Sequence, residues 1–189
     1  AVCTNITHEH LEFHGSFEQY RSDKANLFRA LDRGEPAAAA DAQNGAKLPT
    51  AGEGRFGVAN GDDPNHGYLA AQTRKPVHLY GTACAEAELS ASGFRGDLEG
   101  IRFTLRWPGG QAPTGLPLPG QHNVENLLAA CLTVHRLTGV PYPELLPLLP
   151  GLRGVPGRLQ AVRAGQPFRV IVDYAHNPDR AVCSSAHVS

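Results

Sequence analysis

The sequence predicts an α/β protein, with a mostly parallel sheet flanked by helices and a small antiparallel sheet. Three observations carry that prediction. AVCTNI (1–6) and FRVIVDYA (168–175) are apolar or β-branched runs without helical period, as expected of buried strands. Two segments carry apolar residues at spacings of three, four and seven, as amphipathic helices do. Between them VHLYG and IRFTLRW alternate in the manner of antiparallel strands.

In chain order, strand 1–6 gives way to a polar, histidine-rich loop, Thr7 to Gly15. Ser16 and Gln19 then form an S-x-x-Q capping box opening a helix that runs to about Leu31. Phe17, Tyr20, Leu27, Phe28 and Leu31 define its stripe, and Lys24 sits on that stripe. A buried ammonium is costly without a partner. Lys24 therefore either extends out along its stem, or turns inward to do chemistry or carry a modification.

Residues 32 to 53, rich in Ala, Gly and Pro, read as loop with at most a short helix. RFGVANGDDP (55–64) reads as a strand running into a turn, and PGGQAPTGLPLPGQ as a turn-rich connection. The second helix begins near Asn123. Val124, Leu127, Leu128, Cys131, Val134 and Leu137 form its apolar face, and Gly139 stops it. PELLPLLPGL adds a short helix. FRVIVDYA looks like a central parallel strand with Asp173 and Tyr174 at its C-terminal end, where open α/β sheets place ligands. The tail DRAVCSSAHVS lacks the helix that should follow such a strand.

Composition narrows the function classes. Apolar residues make up 41 % of the 189 and charged residues 19 %, with a formal net charge of −1. That balance gives no basic footprint for nucleic acid and no polybasic membrane anchor. No apolar run approaches a membrane span, and the start resembles no signal peptide. Cys3, Cys84, Cys131 and Cys183 form no C-x-x-C pair, as expected of reduced thiols in a cytoplasmic protein. The lack of any methionine, and an opening directly on a strand, point to a fragment that begins inside a domain.

ITHEHLEFHG (6–15) holds His8, His10 and His14 and invites a zinc reading, but H-E-H-L-E lacks the second histidine of H-E-x-x-H. A different pattern accommodates more of the chain. TNITHEHLEFHGSFEQYRSDKANLF (4–28) resembles the T-N-[LI]-T-x-[DE]-H-L-[DE]-[YF]-H-G…Y…K…LF segment of the Mur ligases. GQHNVENLLAA (120–130) is similar to their G-x-[HF]-N-x-x-N-x-x-A-A helix start. GVPGRLQAV…VIVDYAHNPD (154–179) is similar to their G-V-x-G-R…V-D-Y-A-H-[TN]-P-D junction, and VANGDDP to their N-x-D-D turn. The three blocks occur in the family's order and resemble its tripeptide-synthetase type most.

The resemblance implies an ATP-dependent amide ligase of peptidoglycan precursor synthesis. It would add an amino acid to UDP-N-acetylmuramoyl-L-alanyl-D-glutamate through an acyl phosphate. It implies that His10 and a carbamylated Lys24 hold Mg²⁺, an ion that prefers oxygen ligands. It places Asn123 and Asn126 at the adenine of ATP, whereas position at the helix start alone gives Asn123 a capping role. Arg158 would approach the phosphates, Asp173 the ribose, and His176 would lie beside the nucleotide. His8 becomes a loop residue, and His14 with Gly15 structural. Residues 1–158 become the C-terminal part of a central ATP-binding domain, and 159–189 the first strand of a truncated Rossmann-like ligase domain. The implied partners are small-molecule substrates bound by a cytoplasmic monomer, without nucleic acid or membrane.

Other ligases remain in view. Cyanophycin synthetase shares V-D-Y-A-H-N-P and folylpolyglutamate synthase the wider architecture; a non-catalytic remnant and a metal-dependent amidohydrolase are more distant readings. The phosphate-cradling G-x-x-x-x-G-K-[ST] loop does not occur in these residues. The 189-residue chain alone is therefore expected to show no phosphate release dependent on ATP and UDP-muramyl-dipeptide, measured by a coupled phosphate assay.

Overall fold

The computed structural model describes residues 1–7, 14–33, 54–97, 99–158, 160–162, 164–168 and 170–174. Its centre is a six-stranded sheet in sequence order: β1 (Val2–Cys3), β2 (Gly57–Asn60), β3 (Val77–Gly81), β4 (Leu89–Asp97), β5 (Gly100–Trp107) and β6 (Gly110–Leu116). β1 to β4 pair in parallel, whereas β4, β5 and β6 pair antiparallel. The expected mixture of parallel and antiparallel sheet is present, as one continuous sheet.

Two expectations about these strands change. VHLYG, read as antiparallel, is the parallel strand β3, because its direction is set by pairing with β2, from Gly57↔Val77 to Asn60↔Tyr80, and not by its own alternation. The turn-rich stretch contains β6, whose Gly110–Leu116 lies against β5 from Trp107 to Ile101. Pro113 is accommodated because β6 is the outermost strand of the sheet.

Helix α1 (Phe17–Arg33) begins where Ser16 predicts: its Oγ accepts the Gln19 N–H at 3.1 Å. The Gln19 side chain turns forward to donate to Asp23 instead of closing the box. The buried line of α1 is Tyr20, Ala25 and Phe28, which pack with Ile6, Ala59 and Leu69. Leu27, expected on that line, is 51 % exposed. Small Ala25 lets the helix approach the sheet closely, and Phe28 fills the space over Gly57. A Cβ there would stand 2.7 Å from the Phe28 ring.

A short α2 (His66–Ala70) joins β2 to β3 on the α1 side. On the opposite face lies α3 (Gln121–Thr138), which buries Val124, Leu127, Leu128, Ala129, Cys131 and Leu132. They pack on Val58, Tyr80, Leu89 and the inward residues of β5. Val134 and Leu137, expected in this face, are exposed at its end. Gly139, with φ 73°, caps α3 by donating to the His135 carbonyl, as expected. The start differs. Gly120, with φ 89°, begins the helix before Asn123, and Asn123 Nδ2 donates to the Pro119 carbonyl at 2.6 Å. Asn123 therefore ties the helix to the preceding turn and is not its cap.

PELLPLLPGL forms α4 (Tyr142–Leu145) and a 3₁₀ turn, Leu146–Gly151. Near them Glu88 accepts from Tyr142 Oη at 3.1 Å, from Arg136 and, at 3.0 Å, interacts with His78 Nδ1. Burial opposes ionisation of Glu88, yet the Arg136 and Tyr142 donors hold its carboxyl below the usual range.

FRVIVDYA departs most from expectation. Its core, β8 (Val170–Val172), pairs antiparallel with β7 (Gln160–Val162) in a separate two-stranded sheet. Gly165, at φ 82°, and Gln166 make the reversal, the amide donating to the Val162 carbonyl at 2.7 Å. Among the described residues β7 is the strand that pairs with β8.

Phe28→Ala is expected to lower unfolding free energy by about 3–5 kcal/mol, and Leu27→Ala by no more than about 0.5 kcal/mol. Urea titrations of the two variants check this assignment of the buried line.

Candidate functional site

An open cleft of about 770 Å³ lies at the C-terminal ends of β1, β2 and β3. Asn5, Ile6 and Thr7 follow β1; Asn60, Asp62 and Asp63 follow β2; Thr82 and Ala83 follow β3; Gln121 and Glu125 come from the first turns of α3. This is where parallel α/β sheets bind ligands, because successive loops converge there. Among the described residues no side chain caps α3, whose first backbone donors begin at the cleft wall. A helix N-terminus of this kind favours a phosphate.

Asp62 organises one wall. It lies on the surface, yet its carboxylate accepts the N–H groups of Thr82 at 2.5 Å, Ala83 at 3.0 Å and Cys84 at 2.6 Å. It also accepts the Thr82 hydroxyl at 3.0 Å. Partial burial disfavours its charge, but these donors outweigh that and hold the carboxyl below its usual range. Asp63 organises the other wall, accepting from Ile6 N at 2.5 Å and from Asn65 N at 2.7 Å. Gln121 Nε2 joins the Asp62 wall to α3, lying 3.3 Å from Thr82 Oγ1 and 3.2 Å from Glu125 Oε1.

Glu125 behaves oppositely to Asp62. Burial pushes its carboxyl up, the Asp62 charge adds to that, and Gln121 only partly offsets it. Beneath lies Tyr80, fully buried, with no hydrogen-bond partner for its hydroxyl among the described residues. Burial and the neighbouring Glu125 raise its phenol well above the normal value.

None of the described candidates lines this cleft. Lys24 is exposed, with Nζ 5.4 Å from the Tyr20 ring centroid. The helix phase that buries Ala25 carries Lys24 outward, so it does not carry the expected burden of a buried ammonium. Asn126 is exposed on α3. The structure does bring Arg158 and the end of β8 together. The Arg158 guanidinium stands 5.2 Å from the Tyr174 ring, and Tyr174 N donates to the Gly157 carbonyl at 2.8 Å. Asp173 lies beside Tyr174. His10 and His176 lie outside the described residues, as does His8; His10 follows Thr7 of the cleft wall by three positions. His14 bonds Asp23 at 2.8 Å, in keeping with a structural role.

The oxygens of Asp62 and Asp63 are committed to N–H donors. No group of three or more His, Cys, Asp or Glu side chains gathers to hold a metal among the described residues. Those residues alone do not supply a magnesium site. Sequence reasoning missed Asp62, Asp63, Thr82, Gln121 and Glu125 as wall residues. The N-x-D-D turn was a visible signal for the aspartates. Thr82 and Glu125 reach the cleft only through strand order and helix phase.

Asp62 lies below its unfolded value of about 3.9, so its stabilising effect is present above that value and lost as pH falls through its folded value. Asp62→Asn should thus cost about 1 kcal/mol at neutral pH, exposure limiting it, and the gap to the native chain should close below about pH 4. Thermal unfolding across pH checks this.

Comparison with known proteins places the chain. Residues 1–134 match the family model described as the Mur ligase middle domain. UDP-N-acetylmuramyl-tripeptide synthetase of Roseiflexus sp. (strain RS-1) is 43 % identical over 179 residues, covering 94 % of this chain and 33 % of that protein. The chain thus spans about a third of the curated relatives' length. A solved UDP-N-acetylmuramoyl-L-alanyl-D-glutamate–2,6-diaminopimelate ligase superposes with TM-score 0.72 at 26 % identity, over 99 % of this chain and 35 % of that one. The MurF ligase of Thermotoga maritima, solved in complex with ADP, shares the fold at TM-score 0.72 and 17 % identity, over 99 % and 38 %. With more than half of its residues matched to the family's middle domain, the chain belongs to the Mur ligases.

Proposed function

We propose that this chain is the central part of an ATP-dependent acid–amino-acid ligase of peptidoglycan precursor synthesis. The observation that carries the reading is the cleft where the loops after β1, β2 and β3 meet the uncapped start of α3, within a Mur ligase middle domain. The relatives' names supply the substrate class: a UDP-N-acetylmuramoyl peptide and an amino acid such as 2,6-diaminopimelate.

In this reading ATP phosphorylates the substrate carboxylate, giving an acyl phosphate and ADP. The amino group of the incoming amino acid then attacks the acyl carbon, phosphate leaves, and an amide forms. The chemistry depends on positioning and on neutralising developing charge. Arg158 would meet the phosphates, Asp173 the ribose, Asn123 and Asn126 the adenine, and His176 would flank the nucleotide. Magnesium enters this reading through His10 and a carbamate on Lys24. Residues 159–189 would begin a second domain, which the separate β7–β8 sheet supports. No described helix is long and apolar enough to cross a membrane.

Calorimetry with ATP in magnesium buffer tests the nucleotide part. Saturable heat is expected, with Arg158→Ala weakening binding about tenfold or more, the value of a charge-assisted hydrogen bond. A flat trace from folded protein would overturn the reading.

A further inference from the structure

Arg95 on β4 and Arg102 on β5 are directly opposed across the antiparallel ladder. Opposed residues leave the sheet on the same face, and like charges there destabilise the pairing. Both side chains are exposed, and neither forms a hydrogen bond or ion pair among the described residues.

A bulge makes this pair. Before it, Ser90 faces Arg106 and Ser92 faces Thr104; after it, Arg95 faces Arg102. Strict alternation from Ser92 would put Phe94 opposite Arg102 and turn Arg95 to the core. Gly93, at φ 70°, absorbs the extra residue. Phe94 then packs inward, 6.3 Å from the Phe103 ring, and Arg95 emerges beside Arg102. Bulges commonly re-aim side chains at sites of function. On the far side of Arg102, β6 presents Gly115, so that strand sets no side chain against the guanidinium.

The two arginines line an open cleft of about 470 Å³, with Pro117 and Pro150 also in its wall, that shares no residue with the cleft at the ends of β1–β3. Asp97 and Glu99 stand at its hairpin end, Asp97 Oδ1 accepting the Glu99 N–H at 2.7 Å. We propose that this second cleft binds a compact phosphate group between the Arg95 and Arg102 guanidinium forks. Guanidinium forks match phosphate oxygens bidentately, and a dianion between them removes the like-charge repulsion. The carboxylates at the hairpin end disfavour an extended polyanion, which would run into them. The site is independent of the ligase reading.

Inorganic phosphate is the probe, titrated against chloride at matched ionic strength. A saturable rise in Tm of about 2 °C is expected at several times Kd, together with shifts of the Arg95 and Arg102 Nε–H resonances. Arg95→Gln and Arg102→Gln should each abolish these responses, and should leave Tm unchanged or raised in phosphate-free buffer. An equal response to chloride, or a phosphate response retained in both variants, overturns the proposal.

Discussion

The Asp62 carboxylate is the constraint on which the functional end of the molecule depends. Strands β3 and β4 pair in parallel, a connection that normally needs a crossover of a dozen or more residues. Here only residues 82–88 intervene. So short a loop leaves its backbone donors without secondary-structure partners, and Asp62 accepts three of them. The fit extends to the glycines. A Cβ on Gly81 would stand 2.7 Å from the carboxylate, and one on Gly61 would stand 2.5 Å from Cys84 Sγ.

Once that loop is held, β4 starts level with the end of β3 and runs on beyond the parallel strands. The β4–β6 ladder therefore projects from the sheet, carrying its own outward face and its own cleft. The start of α3 comes against Thr82 through Gln121. At the other end, Glu88 ties β3 to the end of α3 and to α4 through His78, Arg136 and Tyr142. Two carboxylates thus fix the loop between β3 and β4 at both ends, each kept ionised by its donors.

The candidate site was legible where its signal was local. The family blocks, the Ser16 start of α1 and the Gly139 stop of α3 depend on neighbours a few residues away, and they read correctly. Lys24 shows the limit. Helical spacing put it on a buried line, but the line that packs runs through Ala25, and a shift of one residue turns a helix by about 100°. The expected carbamate on Lys24 consequently rests on the family resemblance and not on burial.

By itself the sequence determined the fold class, the family and the position of both long helices, because periodicity, caps and motif blocks are written in contiguous residues. Only the tertiary structure decided that VHLYG is parallel, that Gly110–Leu116 is a strand, and that β8 pairs with β7. Strand direction and partner are properties of residues far apart in the chain. It also decided which side chains meet at the ends of β1–β3. Thr82 and Glu125 are 43 positions apart, and what brings them to one cleft is the packing of α3 on the sheet.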